Sequence, residues 1–236
     1  MRLNKYLAKS GVASRRESDQ LIQEATTLVN GILQTDPAFE VNLKDEIIFN
    51  GRRITIDQTT RVIMLNKPKG VVTTREDPHH RKTVMDLVPH KPRLFTIGRL
   101  DRNTTGLLLF TNDGDLAQAL MLPKNKVSRI YHVEIDRPLN QDDKLKIAKG
   151  IYIGRGQKGK AKVLKQITHK KRSMITLMLQ QGKNREIRRI MNTLNRKIIS
   201  LHRTSYGPVE LKGLSSGKWR TLSDKELSDL QRTLKK

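Results

Sequence analysis

The chain has 236 residues, 36% hydrophobic and 30% charged, with 47 Lys and Arg against 23 Asp and Glu and a formal net charge of +24. It has no cysteine, which excludes disulfides, thiolate metal sites and a thiol nucleophile. No apolar run reaches membrane-span length and the N-terminus lacks the apolar core of a secretory signal, so a cytoplasmic protein with no membrane partner is expected.

The six histidines show no i, i+4 pair, so no metal site is expected. The charge is unevenly placed. Residues 1–59 hold eight basic and eight acidic side chains, whereas residues 149–236 hold twenty-three basic and five acidic. An excess of this size in one part of the chain points to a polyanionic partner, with nucleic acid first.

In chain order, Leu3, Tyr6 and Leu7 share one face of a predicted helix over 2–8, which Gly11 can end. Ser14-Arg15-Arg16-Glu17 reads as a capping box opening a second helix to about Glu24. Arg15 and Arg16 in its first turn oppose the helix dipole, which suggests a phosphate-binding end. Leu28-Val29-Asn30-Gly31 and Ile47-Ile48-Phe49-Asn50-Gly51 are strands closed by Asn-Gly hairpin turns. Residues 58–60 read as a linker.

Val62 to Leu65 is a predicted strand, Lys67-Pro68-Lys69-Gly70 a turn and Val71 to Thr74 a returning strand. A polar loop and one helical turn (83–88) follow. Leu94 to Ile97 and Leu107 to Phe110 are apolar strands. The loop between them carries one acid, Asp101, flanked by Arg99 and Arg102. Asp115 is read as the cap of a helix bearing Leu116, Leu120 and Met121.

Residues 129–135 alternate as a strand, with Arg129, Tyr131, Val133 and Ile135 on one face. Asn140 starts an exposed helix to 149, and residues 154–160 read as a flexible basic loop. Val163 to Thr168, Met174 to Leu179 and Ile198 to Ser205 are strands. A helix starting at Gly182 sets Ile187, Ile190, Met191 and Leu194 in an apolar stripe, with Arg185, Arg188 and Arg189 on an adjoining one. Ser223 to Glu226 is a capping box for a terminal helix through Leu234.

After residue 60, strands outnumber helices and most connections look like hairpins. The fold class is therefore α+β, with a mixed, mainly antiparallel sheet. No glycine-rich phosphate or dinucleotide fingerprint follows a strand, so no cofactor is expected.

The start RLNKYLAKSGVASRRESDQLI, with VNG and DEIIFNG after it, resembles the S4 RNA-binding domain. At Ala25-Thr26-Thr27 the chain departs from that family, which usually has Gly, a basic residue and Val there. The segments KPKG, GRLDRNTTGLLLFTNDG, RIYHVEI and GKNREIRRIM, in that order, resemble the pseudouridine synthases of the branch that carries an N-terminal S4 domain. The resemblance spans the chain and divides it into an S4-like module over 1–59 and a catalytic domain over 60–236.

The resemblance implies that Asp101 is the catalytic aspartate, Tyr131 the active-site tyrosine and Arg188 its basic partner. It makes Ile187 the apolar residue packed on the tyrosine or target base. Arg99, Arg102, Asn184, Arg185, Arg15 and Arg16 are candidates for substrate contact. Asn184-Arg185-Glu186 before Ile187-Arg188 looks most like the branch that modifies large-subunit (23S) ribosomal RNA. The expected partner is ribosomal RNA or a ribosomal-subunit assembly intermediate, bound by a monomer.

Isomerising uridine breaks the C1′–N1 bond and makes C1′–C5, with no redox change and no group donor. Asp101 could attack C1′ or remove the C2′ proton, and the sequence leaves both open. Tyr131 is the candidate to take or route the C5 proton. A small-subunit (16S) enzyme and a non-catalytic ribosomal RNA-binding assembly factor are the alternatives. An S4-bearing methyltransferase would need a donor site that the sequence lacks.

Overall fold

The computed structural model describes every residue except 58, 171, 235 and 236. Gln58 of the predicted linker therefore lies outside the described residues. The chain divides into two compact units. One is residues 1–61 with the short segments 91–94 and 112–114, and the other is the remainder.

In the first unit, α1 (Leu3–Lys9) buries Leu3, Tyr6 and Leu7, and α2 (Arg15–Gln23) buries Ile22. The predicted capping box is present. Ser14 accepts from the Glu17 N–H, and the Glu17 carboxylate accepts from the Ser14 N–H. Four short strands follow, β1 (Thr27–Val29), β2 (Ile32–Gln34), β3 (Ile47–Phe49) and β4 (Arg52–Ile54), in the order β2-β1-β3-β4. Both Asn-Gly pairs turn with positive φ, as primed hairpin turns require. Ala25, just past α2, has φ 59°. A left-handed Ala is costly where Gly is free, so this departure from the S4 pattern carries strain.

The second unit is built on a nine-stranded sheet. Its strands are β5 (Val62–Lys67), β6 (Phe95–Ile97), β7 (Thr105–Thr111), β8 (Arg129–Ile135), β11 (Lys162–His169), β12 (Arg172–Leu179), β13 (Ile198–Tyr206), β14 (Val209–Glu210) and β15 (Trp219–Thr221). A small hairpin, β9 (Ile151–Tyr152) and β10 (Lys158–Gly159), stands apart from it. The main order is β11-β12-β8-β13-β7-β5-β15, with β14 on β13 and β6 on β7. Every pairing is antiparallel except β13–β7. The sheet is thus mixed and mainly antiparallel.

At the parallel joint Gly106 faces Arg203. A Cβ on Gly106 would lie 2.2 Å from the Arg203 carbonyl oxygen, so only glycine lets the two strands close. The helices are α3 (Gly114–Met121), α4 (Gln141–Lys149), α5 (Glu186–Thr193) and α6 (Asp224–Arg232). Two apolar clusters fill the unit. One gathers Val133, Ile175, Leu177, Ile187, Ile190 and Met191, and the other Met64, Leu107, Leu109, Leu120 and Tyr206. No helix among the described residues is long and apolar enough to cross a membrane.

Several predicted elements are corrected. Val71 to Thr74 is not a strand: only Val72 makes an isolated bridge, to Thr83. The backbone there is claimed by the Asp101 loop, since the Gly70 N–H donates to Arg102 O (2.9 Å) and the Thr73 hydroxyl to Leu100 O (2.8 Å). Helix α3 begins at Gly114, which puts Asp115 in the first turn and not at the cap. Residues 154–160 are not a free loop, because β9 and β10 pair across them. Helix α5 begins at Glu186, four residues after Gly182, and α6 ends at Arg232, short of Leu234.

Candidate active site

The loop between β6 and β7 leaves the sheet beside the parallel joint. Its backbone is fixed from two sides. The Lys67 ammonium, at the end of β5 and fully buried, donates to Pro68 O (3.0 Å), Thr104 O (3.0 Å) and Arg102 O (3.4 Å). Burial pushes that ammonium down to about 8, and the nearby Asp101 carboxylate partly opposes the shift. From the other side Arg188 on α5 donates through Nη2 to the Thr104 hydroxyl (3.1 Å) and to Asn103 O (3.3 Å).

The carboxylate itself is held by one strong contact, Arg188 Nε to Asp101 Oδ2 at 3.1 Å. Arg185 Nη1 lies 3.9 Å from the same oxygen. The Asp101 side chain keeps 32% of its surface exposed, so it is positioned yet open to a ligand. The cleft in front of it, about 690 Å³, is large enough for a nucleotide. Arg99, Asp101, Tyr131, Asn184, Ile187 and Arg188 all line it.

Most of the expected residues therefore converge from β8, α5 and the β6–β7 loop. The geometry corrects three expectations. Arg99 and Arg102 do not bracket the acid: the cations within 4 Å of Asp101 among the described residues are Arg188 and Arg185. Arg99 is on the cleft wall, while Arg102 turns away and donates to Gly70 O (3.2 Å). Arg185, Arg188 and Arg189 do not act as one stripe. Arg185 precedes the helix in a left-handed conformation, and Arg189 points at the β9–β10 hairpin, donating to Ile153 O (2.8 Å) and Gly154 O (2.7 Å). Arg15 and Arg16 are exposed in the first unit and take no part in this cleft.

The sequence reading missed four groups. Lys67 ends an otherwise apolar strand, a signal that it is buried for a reason. Thr104 couples the loop to Arg188. Arg129 and Arg203 are both nearly fully buried on the cleft wall and both lie against the ring of Tyr206, at 4.8 and 5.2 Å. The alternation that set Arg129 in phase with Tyr131, Val133 and Ile135 was the available signal for it.

An RNA pseudouridylate synthase family model matches residues 61–193, and an S4 domain model matches residues 1–47. The chain is 36% identical over 233 residues to ribosomal large subunit pseudouridine synthase B of Bacillus subtilis, covering 98% of this chain and 95% of that one. It is also 36% identical over 232 residues to the dual-specificity RNA pseudouridine synthase RluF of Escherichia coli, covering 98% and 78%. A crystal structure of a pseudouridylate synthase superposes with a TM-score of 0.70 at 26% identity, over 98% of this chain and 99% of that one. The mixed sheet, the carboxylate offered to a nucleotide-sized cleft and these full-length similarities have one common explanation: the chain is an enzyme of the RNA pseudouridylate synthase family that carries an S4 domain at its N-terminus.

Proposed function

We propose that this enzyme converts a uridine of ribosomal RNA to pseudouridine, in the large subunit first, and that Asp101, Tyr131 and Arg188 carry the reaction. The observation behind this reading is the 3.1 Å ion pair between Arg188 and an otherwise open Asp101, in a cleft that Tyr131 also lines. Asp101 attacks C1′ or takes the C2′ proton, and on either route the C1′–N1 electron pair leaves on the base. Arg188 holds the carboxylate and the Thr104 end of its loop in one geometry, which lowers the cost of reaching the transition state. The base turns within the cleft, C1′–C5 forms, and Tyr131 accepts or routes the C5 proton. The reaction is an isomerisation and consumes no cofactor.

A uridine in folded RNA must leave its stack, which costs a few kcal/mol and is offset by backbone contacts. Arg99, Asn184 and Arg185 at the cleft, and Arg15 and Arg16 in the module over 1–59, are proposed to make them. The catalytic domain spans 60–236, and the monomer acts on ribosomal RNA or an assembly intermediate. The name of the Bacillus subtilis relative supports the large subunit. The dual-specificity relative, equally similar, supports a second reading in which more than one RNA is modified.

The test is tritium release from C5-labelled uracil in unmodified ribosomal RNA, followed by mapping of the product. Release with a single site in 23S RNA is the expected result. Sites in 16S RNA alone would overturn the large-subunit reading, and absence of release from any ribosomal RNA would overturn the substrate class.

A further inference from the structure

Arg203 is a buried cation that the reaction scheme above leaves unused. It is 2% exposed, on β13, directly across from Tyr131 of β8 on one side and Gly106 of β7 on the other. Its Nε donates to Leu107 O (2.7 Å), reaching back over the parallel joint that Gly106 allows to close. Its Nη1 lies 3.5 Å from the Tyr131 hydroxyl oxygen, the long end of a hydrogen bond, and its guanidinium is 6.0 Å from the centre of that ring. Its Nη2 is buried and has no hydrogen-bond partner. No carboxylate lies within 4 Å of it among the described residues.

Burying a guanidinium with neither a counter-ion nor a full set of acceptors is costly, and a neutral side chain would be cheaper at a merely structural position. The charge sits under the cleft wall that Tyr131 presents. On either route for Asp101, the base leaves carrying the C1′–N1 electron pair and is anionic until C1′–C5 forms. A fixed cation in a dry wall lowers the energy of such a species more than that of the neutral uridine.

We propose that Arg203 is a positioning residue for Tyr131. It sets the tyrosine hydroxyl in the cleft and places an uncompensated positive charge behind it, against the anionic base detached during isomerisation. This rests on the reading of Tyr131 given above. Arg203 touches no substrate atom, so it acts on the rate and not on RNA affinity.

The test uses the full chain with unmodified ribosomal RNA, measuring kcat by tritium release and Kd by filter binding for R203Q, R203K, Y131F and R203Q/Y131F. The expected result for R203Q is a kcat loss of about 100-fold with Kd within about threefold of the parent. R203K, which keeps the charge but not the fork, is expected to regain about tenfold over R203Q. The double variant is expected to be no slower than the slower single variant, because both changes remove one interaction. Losses that multiply, an R203K no faster than R203Q, or a loss confined to Kd would each overturn the proposal. The Lys–Gln comparison is read without Y131F, so it holds even where Y131F has no measurable rate. Where R203Q does not fold, R203K with and without Y131F carries the cycle. A Y131F enzyme with the parent's kcat would instead overturn the reading of Tyr131.

Discussion

Arg188 and Arg189 are neighbours on one short helix, yet they serve two regions built on different terms. Arg188 meets the Asp101 loop, which several segments fix: the buried Lys67 ammonium, Gly70, Thr73 and Arg188 itself all bond to it. Only the carboxylate is left partly open. Arg189 meets the β9–β10 hairpin, which is fastened at few points. Its guanidinium holds Ile153 O, Gly154 O and the Gln157 side chain (2.9 Å), and Gly159 lies flat on Ile190. Lys183 also donates to Lys158 O, and Glu186 accepts from the Lys160 N–H (3.2 Å). What remains outside are cations, Arg155, Lys158 and Lys160, all exposed. The same side chain one residue apart thus orders a reactive acid in one region and ties down a basic lip in the other. A chemical site needs a fixed geometry, whereas a surface meeting phosphates works mainly through charge.

The largest effect is expected at the acid. D101N keeps the loop's shape but removes the ionised carboxylate, and kcat in the tritium assay should fall by roughly 10⁴-fold or more with little change in RNA affinity. An active D101N would remove the chemical half of the contrast. R188Q should follow with a loss of about 100-fold in kcat, because the acid loses its partner and the Thr104 end of the loop its anchor. A loss seen only in Kd would mean that Arg188 belongs with the RNA-facing cations.

R189Q should behave in the opposite way. It removes the charged bonds to Ile153 O and Gly154 O, so it should lower stability by about 2 kcal/mol in urea titrations while kcat changes by less than about fivefold. A kcat loss equal to that of R188Q would erase the distinction between the two arginines. G159A places a Cβ 2.8 Å from Ile190 Cγ1 and should cost about 1 kcal/mol. Faster amide exchange should follow in the hairpin and not in the Asp101 loop.

The smallest effect concerns Lys67. Its folded-state value, about 8, lies below the ordinary 10.5. Between those limits the unfolded chain binds the extra proton, so unfolding free energy should rise as pH increases from about 8 to 10.5. The rise from this group should vanish in K67M. Parallel pH profiles for the parent and K67M would show that the loop does not depend on a desolvated cation.

Local patterns carried much of the fold. The Ser14, Asn140 and Ser223 capping boxes, the two Asn-Gly turns and the alternation of β8 each depend on residues within four positions of one another, and each is present in the structure. The elements misread were those whose backbone bonds go far along the chain. Val71 to Thr74 gave up a strand because Leu100 and Arg102 claimed its polar groups. The 154–160 stretch became a hairpin because Arg189, more than thirty residues on, satisfies its carbonyls.

The sequence by itself determined the basic excess, the element types, the family and the acid, because composition, short-range capping and motif order are local properties. Only the tertiary structure decided which cation meets Asp101. Arg99 and Arg102 are its neighbours in the chain, but the ion pair goes to Arg188, 87 positions away. It also decided that Arg203 stands buried behind Tyr131, since the parallel closure of β7 on β13 at Gly106 brings together strands nearly a hundred residues apart in the chain.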